Sequence, residues 1–199
     1  MKNVVLINGH QPFPTSPGKL NASLCEIAKT TFEARGKNVR LVRTAQAWDL
    51  ETEIENQLWA DLILLQFPLN SMGAPWSLKR YLDEVYTAGM DGRLARGDGR
   101  TRSDPRRKYG SGGLMQGRSY MLSVTLNAPQ AAFADPAQTL FAGRTLDDLL
   151  APLHINFAFF GLEAHPTFAA HDVSKAPDAE GHFAAFRDHL SEVMAEAED

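Results

Sequence analysis

The sequence contains little of what several protein classes require. Its one cysteine, Cys25, cannot form an internal disulfide, which excludes a disulfide-stabilised fold and fits a reducing compartment. No apolar run approaches the roughly 18 residues of a membrane span, and the run after Met1 is too short for a signal peptide. The net charge of -4 and the pI near 5.9 give no general attraction to nucleic acid or anionic membrane. We therefore expect a cytoplasmic protein that binds neither.

Several motifs of nucleotide-binding and metal sites are also missing. Gly18-Lys19 is followed by Leu20, and no glycine precedes it at the spacing of a P-loop. The glycines between positions 110 and 113 do not fit G-x-G-x-x-G, and they precede a predicted strand instead of a helix. The six histidines lack the spacing of metal ligands, and we predict no metal site.

Apolar runs alternate with amphipathic stretches along the chain, which is typical of a parallel sheet with right-handed crossovers and helices on both faces. The pattern predicts one α/β domain over residues 1–199, a flavodoxin-like, doubly wound, five-stranded parallel sheet of order 2-1-3-4-5. The predicted strands are residues 4–7, 38–42, 62–67, 118–125 and 163–170, and the predicted helices are residues 17–32, 52–59, 76–85, 145–160 and 183–193.

Three loops of this predicted fold meet at one rim, because the carboxyl ends of parallel strands share one edge of the sheet. They cover residues 9–16, 68–72 and 126–129. Ser16 is predicted to cap the first helix and Pro17 to begin it, so that free N–H groups there can bind an anion. Capping by Ser16 alone explains the same residues equally well. The rim predicts a nucleotide-shaped site without indicating which nucleotide binds.

A segment from about 90 to 117 interrupts the alternation. It contains seven arginines and lysines against three aspartates, a local charge of +4, and it ends in the glycine-rich run Gly110-Ser111-Gly112-Gly113. Long loops in compact domains are usually functional or disordered. We interpret this segment as a lid over an anionic ligand or as an interface arm, with a solvated loop as the alternative.

Several short motifs together resemble one protein family, the NAD(P)H:quinone oxidoreductases of the modulator of drug activity B type. The resemblance covers nearly the whole chain, and its most specific motif is Lys108 to Leu114. The other motifs are Gly73-Ala74-Pro75-Trp76, Asp98-Gly99-Arg100-Thr101-Arg102 and Asn127-Ala128-Pro129.

The resemblance implies an FAD-dependent homodimer with its active sites at the subunit interface. It also implies ping-pong transfer of two electrons from NADPH or NADH to a quinone. Tyr109 is implied to touch the flavin, within a subunit or across the dimer, and His154 is a second catalytic candidate whose alternative role is structural. Carried over by position, the FAD phosphates and ribityl chain would contact Ser16, Gly18, Leu20, Asn21 and Ser23, and the flavin ring would contact Pro68, Leu69, Asn70, Ser71, Met72, Thr125, Leu126, Asn127 and Ala128.

The chain departs from the family at the predicted ring site. Asn70-Ser71 and Leu126 stand where the family usually has tryptophans, which removes stacking worth about 0.5–1.5 kcal/mol per aromatic pair. Two alternatives therefore stay open. One is a flavin-binding or regulatory module with little turnover, and the other is an FMN-dependent azo- or nitro-reductase on the same fold.

Overall fold

The computed structural model describes residues 1–196, which form one parallel sheet covered by helices on both faces. The strand order is β2-β1-β3-β4-β5, as predicted, and a sixth short strand, β6, also pairs with β4. The strands are β1 (Asn3–Asn8), β2 (Asn38–Arg43), β3 (Leu62–Pro68), β4 (Ser119–Thr125), β5 (Glu163–Ala164) and β6 (Phe168–Ala170), and the helices are α1 (Lys19–Ala34), α2 (Leu50–Trp59), α3 (Trp76–Gly89), α4 (Leu146–Phe160) and α5 (Ala179–Glu196).

The central strands are apolar along almost their whole length because helices cover both of their faces. In register, Leu6 of β1 lies between Leu41 of β2 and Leu64 of β3, and Leu64 pairs with Met121 of β4. The alignment brings the carboxyl ends of β1, β3 and β4 to the same edge of the sheet.

One face of the sheet packs against α1 and α5, where Phe32 and Phe186 are fully buried. The other face packs against α2, α3 and α4 around Tyr81 and Phe157. Cys25 lies in the first of these cores, and burial raises the pKa of its thiol to about 12. The sulfur therefore stays protonated and serves as a small core residue.

The predicted fifth strand is divided into β5 and β6 because Pro166, between them, has no N–H for a strand hydrogen bond. Both pieces still pair with β4, through Ser119 and Glu163 and through Ser123 and Phe168. None of the helices within residues 1–196 is both long and apolar enough to cross a membrane.

The start of helix α1 differs from the prediction. Helix α1 begins at Lys19 after Gly18, because Ser16 is engaged in a tight turn in which it and Phe13 exchange backbone hydrogen bonds of 3.0 and 3.1 Å. Ser16 is therefore not the helix cap, and Pro17 is not the first helical residue. Helix α3 begins at Trp76, as predicted, and Pro75 lies immediately before it.

The segment at 90–117, called the basic loop from here on, joins the end of α3 to the start of β4. Because β4 starts at the edge of the sheet opposite the carboxyl ends, the basic loop lies at that opposite edge. Leu94, Ala95 and Met115 are buried and anchor it to the core.

Candidate functional site

A crevice of about 480 Å³ opens at the carboxyl edge of the sheet, between the loops that follow β1, β3 and β4. This is the position at which open α/β sheets bind their ligands. Residues 15–21, 68–70, 125–127, 173 and 174 line the crevice.

Most of the predicted cofactor residues are brought together here. A recess of about 180 Å³ adjoins the crevice, and Leu69, Leu126 and Asn127 line both. Ser71, Met72 and Ala128 line the recess but not the crevice. Ser23 lines neither, since it lies one turn further along α1. The predicted residues that line the crevice are Ser16, Gly18, Leu20, Asn21, Pro68, Leu69, Asn70, Thr125, Leu126 and Asn127.

The first loop is shaped by a close contact between Gly18 and His10. Gly18 has a left-handed backbone (φ 82°), and a Cβ atom at this position would lie 2.4 Å from the His10 ring. His10 is buried, and its Nε2 has no hydrogen-bond partner within residues 1–196. Burial lowers the pKa of His10, while a hydrogen bond to the backbone of Ser16 opposes that shift. A neutral imidazole with an unused nitrogen therefore lies under the loop that leads into α1.

Unpaired backbone N–H groups lie at two places, one beside the crevice and one beside the adjoining recess. In the first turn of α1, the N–H groups of Lys19, Leu20 and Asn21 have no partner within the described chain, as expected at a helix start. After β3, Asn70 and Gly73 exchange hydrogen bonds of 2.9 and 3.0 Å across a two-residue turn.

The central residues of that turn, Ser71 and Met72, both have positive φ (50° and 65°). Such a backbone is strained for residues other than glycine. The turn leaves the N–H groups of Ser71 and Met72 unpaired within residues 1–196. These donors can bind the polar edge of a ring, and those at α1 can bind an anion.

A chain of buried side-chain hydrogen bonds connects the three segments of the crevice. The Ser123 hydroxyl donates to Gln66 Oε1 (2.6 Å), and Gln66 Nε2 donates to Asn21 Oδ1 (2.9 Å). The Asn21 amide then donates to the Thr125 hydroxyl (3.2 Å). All four residues are buried, and Asn21 and Thr125 also line the crevice. The network fixes the first turn of α1 against the ends of β3 and β4.

Sequence reasoning missed Gln66, Val173, Ser174 and the aromatic pair of the recess. Ser174 donates a hydrogen bond to the side chain of Asn127, so the loop after β6 forms a further wall of the crevice. Phe133 and Phe141 stack at 4.3 Å between ring centroids and line the recess. The carboxyl-edge rule applied to the last strand could have found Val173 and Ser174.

Tyr109 and His154 do not line the crevice. Tyr109 lies on the basic loop, is 67% exposed and contacts the Phe159 ring at 5.7 Å. His154 lies on α4, where Nδ1 is 2.7 Å from the Tyr120 hydroxyl and Nε2 is 3.2 Å from Asp147. Both ring nitrogens of His154 are therefore occupied.

Within the described part of the chain, no three histidine, cysteine, aspartate or glutamate side chains are grouped as metal ligands. The chemistry of the crevice must therefore be assigned from the donors and apolar walls described above.

Comparison with known proteins agrees with this geometry. The model of the Flavodoxin-like fold family matches residues 2–194. The NADPH:quinone oxidoreductase MdaB of Haemophilus influenzae is 40% identical over 192 residues, which are 96% of this chain and 99% of that protein.

Solved structures share the fold at lower identity. A provisionally assigned quinone reductase from Klebsiella pneumoniae has a TM-score of 0.76 at 23% identity, covering 98% of this chain and 84% of that chain. An FMN-dependent NADH-azoreductase of Bacillus anthracis, solved with FMN, has a TM-score of 0.62 at 15% identity, with both chains fully covered (100%). The chain thus belongs to the Flavodoxin-like fold family, in the group that includes the Haemophilus protein.

Proposed function

We propose that this protein is an FAD-dependent NAD(P)H:quinone oxidoreductase. The observation that carries the proposal is the crevice with its adjoining recess, where unpaired N–H groups at the start of α1 and in the turn after β3 lie beside apolar walls. The 40% identity to a NADPH:quinone oxidoreductase over nearly the full length of both chains supports the same activity.

The residues of the crevice fit a flavin nucleotide. A phosphate group suits the free N–H groups at the start of α1, which follow Gly18, where the backbone packs closely against the His10 ring. The unpaired Nε2 of His10 lies beside the same loop. The N–H groups of Ser71 and Met72 suit the polar edge of the flavin ring, and Leu69 and Leu126 suit its apolar face.

When bound, the flavin supplies hydride acceptance from the nicotinamide and hydride donation to the quinone, in two successive half-reactions at one face. The role of the protein chain is to bind the flavin and to orient it. Asn21 and Thr125 hold polar groups of the cofactor, and the turn at Ser71 and Met72 fixes the edge of the ring through backbone donors. No side chain of the crevice needs to act as an acid or base.

We further propose a homodimer. The exposed side chains of Met90, Tyr109 and Ile155 line a groove and form an apolar face over α3 and α4, and such a face is typical of an interaction surface. Each subunit's Tyr109 would then reach the other subunit's crevice and hydrogen-bond near the acceptor. His154, held by Tyr120 and Asp147, is proposed to position α4. A cytoplasmic location is proposed as well, because a chain with one cysteine has no internal disulfide framework.

A second candidate is an FMN-dependent azo- or nitro-reductase, supported by the fold shared with an FMN-dependent azoreductase. The same free N–H groups at α1 fit the single phosphate of FMN. A flavin-binding module with little turnover is the third candidate, because Asn70, Ser71 and Leu126 offer no aromatic surface for stacking.

One experiment separates these functions. The purified protein is examined by visible spectroscopy, its cofactor is extracted, and NADPH is added anaerobically, followed by a benzoquinone. FAD in the extract, bleaching by NADPH and rapid recovery of colour with the quinone support the proposal. FMN in the extract together with faster turnover of an azo dye supports the second candidate, and a yellow protein that NADPH does not bleach supports the third.

A further inference from the structure

The basic loop carries positive charge that the fold does not neutralise. Arg93 contacts Asp91 and Glu51, and Arg100 pairs with Asp98 at 2.6 Å. The remaining cations of the loop are exposed and form no ion pair with any residue of 1–196; they are Arg96, Arg102, Arg106, Arg107 and Lys108. Against them stands one further carboxylate, that of Asp104, so the loop presents a surplus of positive charge on a chain whose net charge is -4.

The base of this loop is fixed by backbone hydrogen bonds. The N–H of Arg96 donates to Gly112 O (2.8 Å), and the N–H of Leu114 donates to Leu94 O (2.9 Å). A Cβ atom at Gly112 would lie 2.4 Å from Gly97 O, so the two backbone segments of the loop pack together more closely than a larger residue at position 112 would allow. Cations held on such a frame lose less conformational entropy when they bind an anion than cations on a free tail.

The loop borders the apolar face that is proposed as the dimer interface. Tyr109 lines the groove between α3 and α4 together with Ile155, and the Arg100 guanidinium lies 5.4 Å from the Tyr109 ring centroid. Within one subunit the loop is at the sheet edge opposite the crevice. In a two-fold dimer that packs α3 antiparallel to its copy, the end of each α3 meets the start of the other, which lies beside the crevice.

We infer that the unpaired cations of the basic loop bind the 2′-phosphate of NADPH held in the other subunit's crevice, and so select NADPH over NADH. The inference rests on the proposed function and dimer. The 2′-phosphate is the only group that distinguishes the two dinucleotides. Arginine forks match phosphate oxygens in geometry and charge, and adjacent arginines such as Arg106 and Arg107 can hold a dianion together.

The test measures binding apart from turnover. NADP⁺ and NAD⁺ are titrated by calorimetry into the flavin-loaded protein and into its R106Q/R107Q variant. The control variant R35Q/R187Q loses the same charge from two exposed arginines, one at the end of α1 and one on α5. We expect the Kd of NADP⁺ to rise about tenfold or more in R106Q/R107Q, while the Kd of NAD⁺ changes less than twofold. The control variant should bind both nucleotides as the parent does.

Each other outcome overturns the inference. The inference is overturned if R106Q/R107Q binds both nucleotides more weakly by the same factor, or if it binds NADP⁺ as tightly as the parent does. It is also overturned if the parent protein binds NADP⁺ no more tightly than NAD⁺. If the parent instead binds vesicles of phosphatidylserine and phosphatidylcholine, and R106Q/R107Q loses only that binding, the cations serve a membrane surface. Failure of the proposed function has a different result. If the parent protein binds NADP⁺ through the loop but NADPH does not bleach its flavin, the inference about the loop stands and the proposed enzymatic activity is refuted.

Discussion

The side-chain amide of Gln66 donates a 2.9 Å hydrogen bond to Asn21, which connects the end of β3 with the first turn of α1. Both residues are buried, and only Asn21 lines the crevice. The proposed flavin site therefore depends on a residue that the flavin would not touch. Because Ser123 donates to the other end of the same amide, the Gln66 side chain is held at both ends.

Gln66→Met is expected to lower the free energy of unfolding by about 1–3 kcal/mol, since it removes the partner of the buried Ser123 hydroxyl and the Gln66 donor to Asn21 Oδ1. The same change should weaken flavin binding, because the first turn of α1 is no longer fixed to β3. The matched control is Gln57→Met, which breaks an equally buried network with Tyr81 and Tyr86 away from the crevice. Urea unfolding and flavin titration check both variants, and equal flavin Kd values in the two would contradict a positioning role for Gln66.

Gly18→Ala is expected to destabilise the protein and to prevent flavin binding. The new Cβ carries the left-handed penalty of about 1–2 kcal/mol and also meets the His10 ring at 2.4 Å. Gly36→Ala provides the control, because Gly36 has a similar positive φ of 71° with no atom within 4 Å. Thermal unfolding should show a small loss for Gly36→Ala and a larger one for Gly18→Ala. A similarly small loss of stability in both variants would mean that the His10 ring can move to accommodate the new Cβ atom.

The stability of the protein should rise with pH through the histidine range, and His10 should contribute to that rise. Burial holds the pKa of His10 below its ordinary value near 6.5. As the pH falls below that value, unfolded chains take up a proton that the folded chain resists, so the free energy of unfolding decreases. His10→Gln removes this contribution. Urea unfolding at several pH values between 5 and 7.5 should give a shallower slope for the variant, and equal slopes would rule out the effect.

Ile155→Glu is expected to convert the proposed homodimer to monomers. Ile155 is 67% exposed on the apolar face over α3 and α4, and a charge there would be buried between the subunits. Leu140→Glu is the control, since Leu140 is 72% exposed but lies outside the groove. Sedimentation velocity should show monomers only for Ile155→Glu, together with loss of NADPH:quinone turnover. A monomeric parent protein, or an Ile155→Glu dimer, would refute the proposed interface.

Much of the fold could be predicted from the sequence because the central strands contain uninterrupted apolar runs, such as Val4 to Ile7 and Leu62 to Leu65. Their alternation with helices restricts the topology, and the topology in turn places the crevice. The start of α1 could not be predicted from capping preferences, since Ser16 is used by a turn with Phe13. That competition depends on a contact between residues and not on the propensity of either one.

The polar network and the recess could not be predicted from the sequence, for a different reason. Gln66 and Ser123 lie within runs that are otherwise apolar, so a buried hydrogen bond between neighbouring strands leaves no periodic signal. Phe133 and Phe141 come from an irregular segment whose path has no repeat to detect. The position of Tyr109 follows from the topology of one chain, whereas its proposed approach to a crevice would depend on a second copy.

The burial of Cys25 bears on the chemical durability of the protein. Quinones are electrophiles that add to thiolates, and the thiolate form is the one that reacts. With a pKa of about 12 and almost no exposure, the only sulfhydryl of the chain is neither ionised nor reachable at neutral pH. An enzyme that reduces quinones with this architecture would withstand arylation by its own substrates over many turnovers.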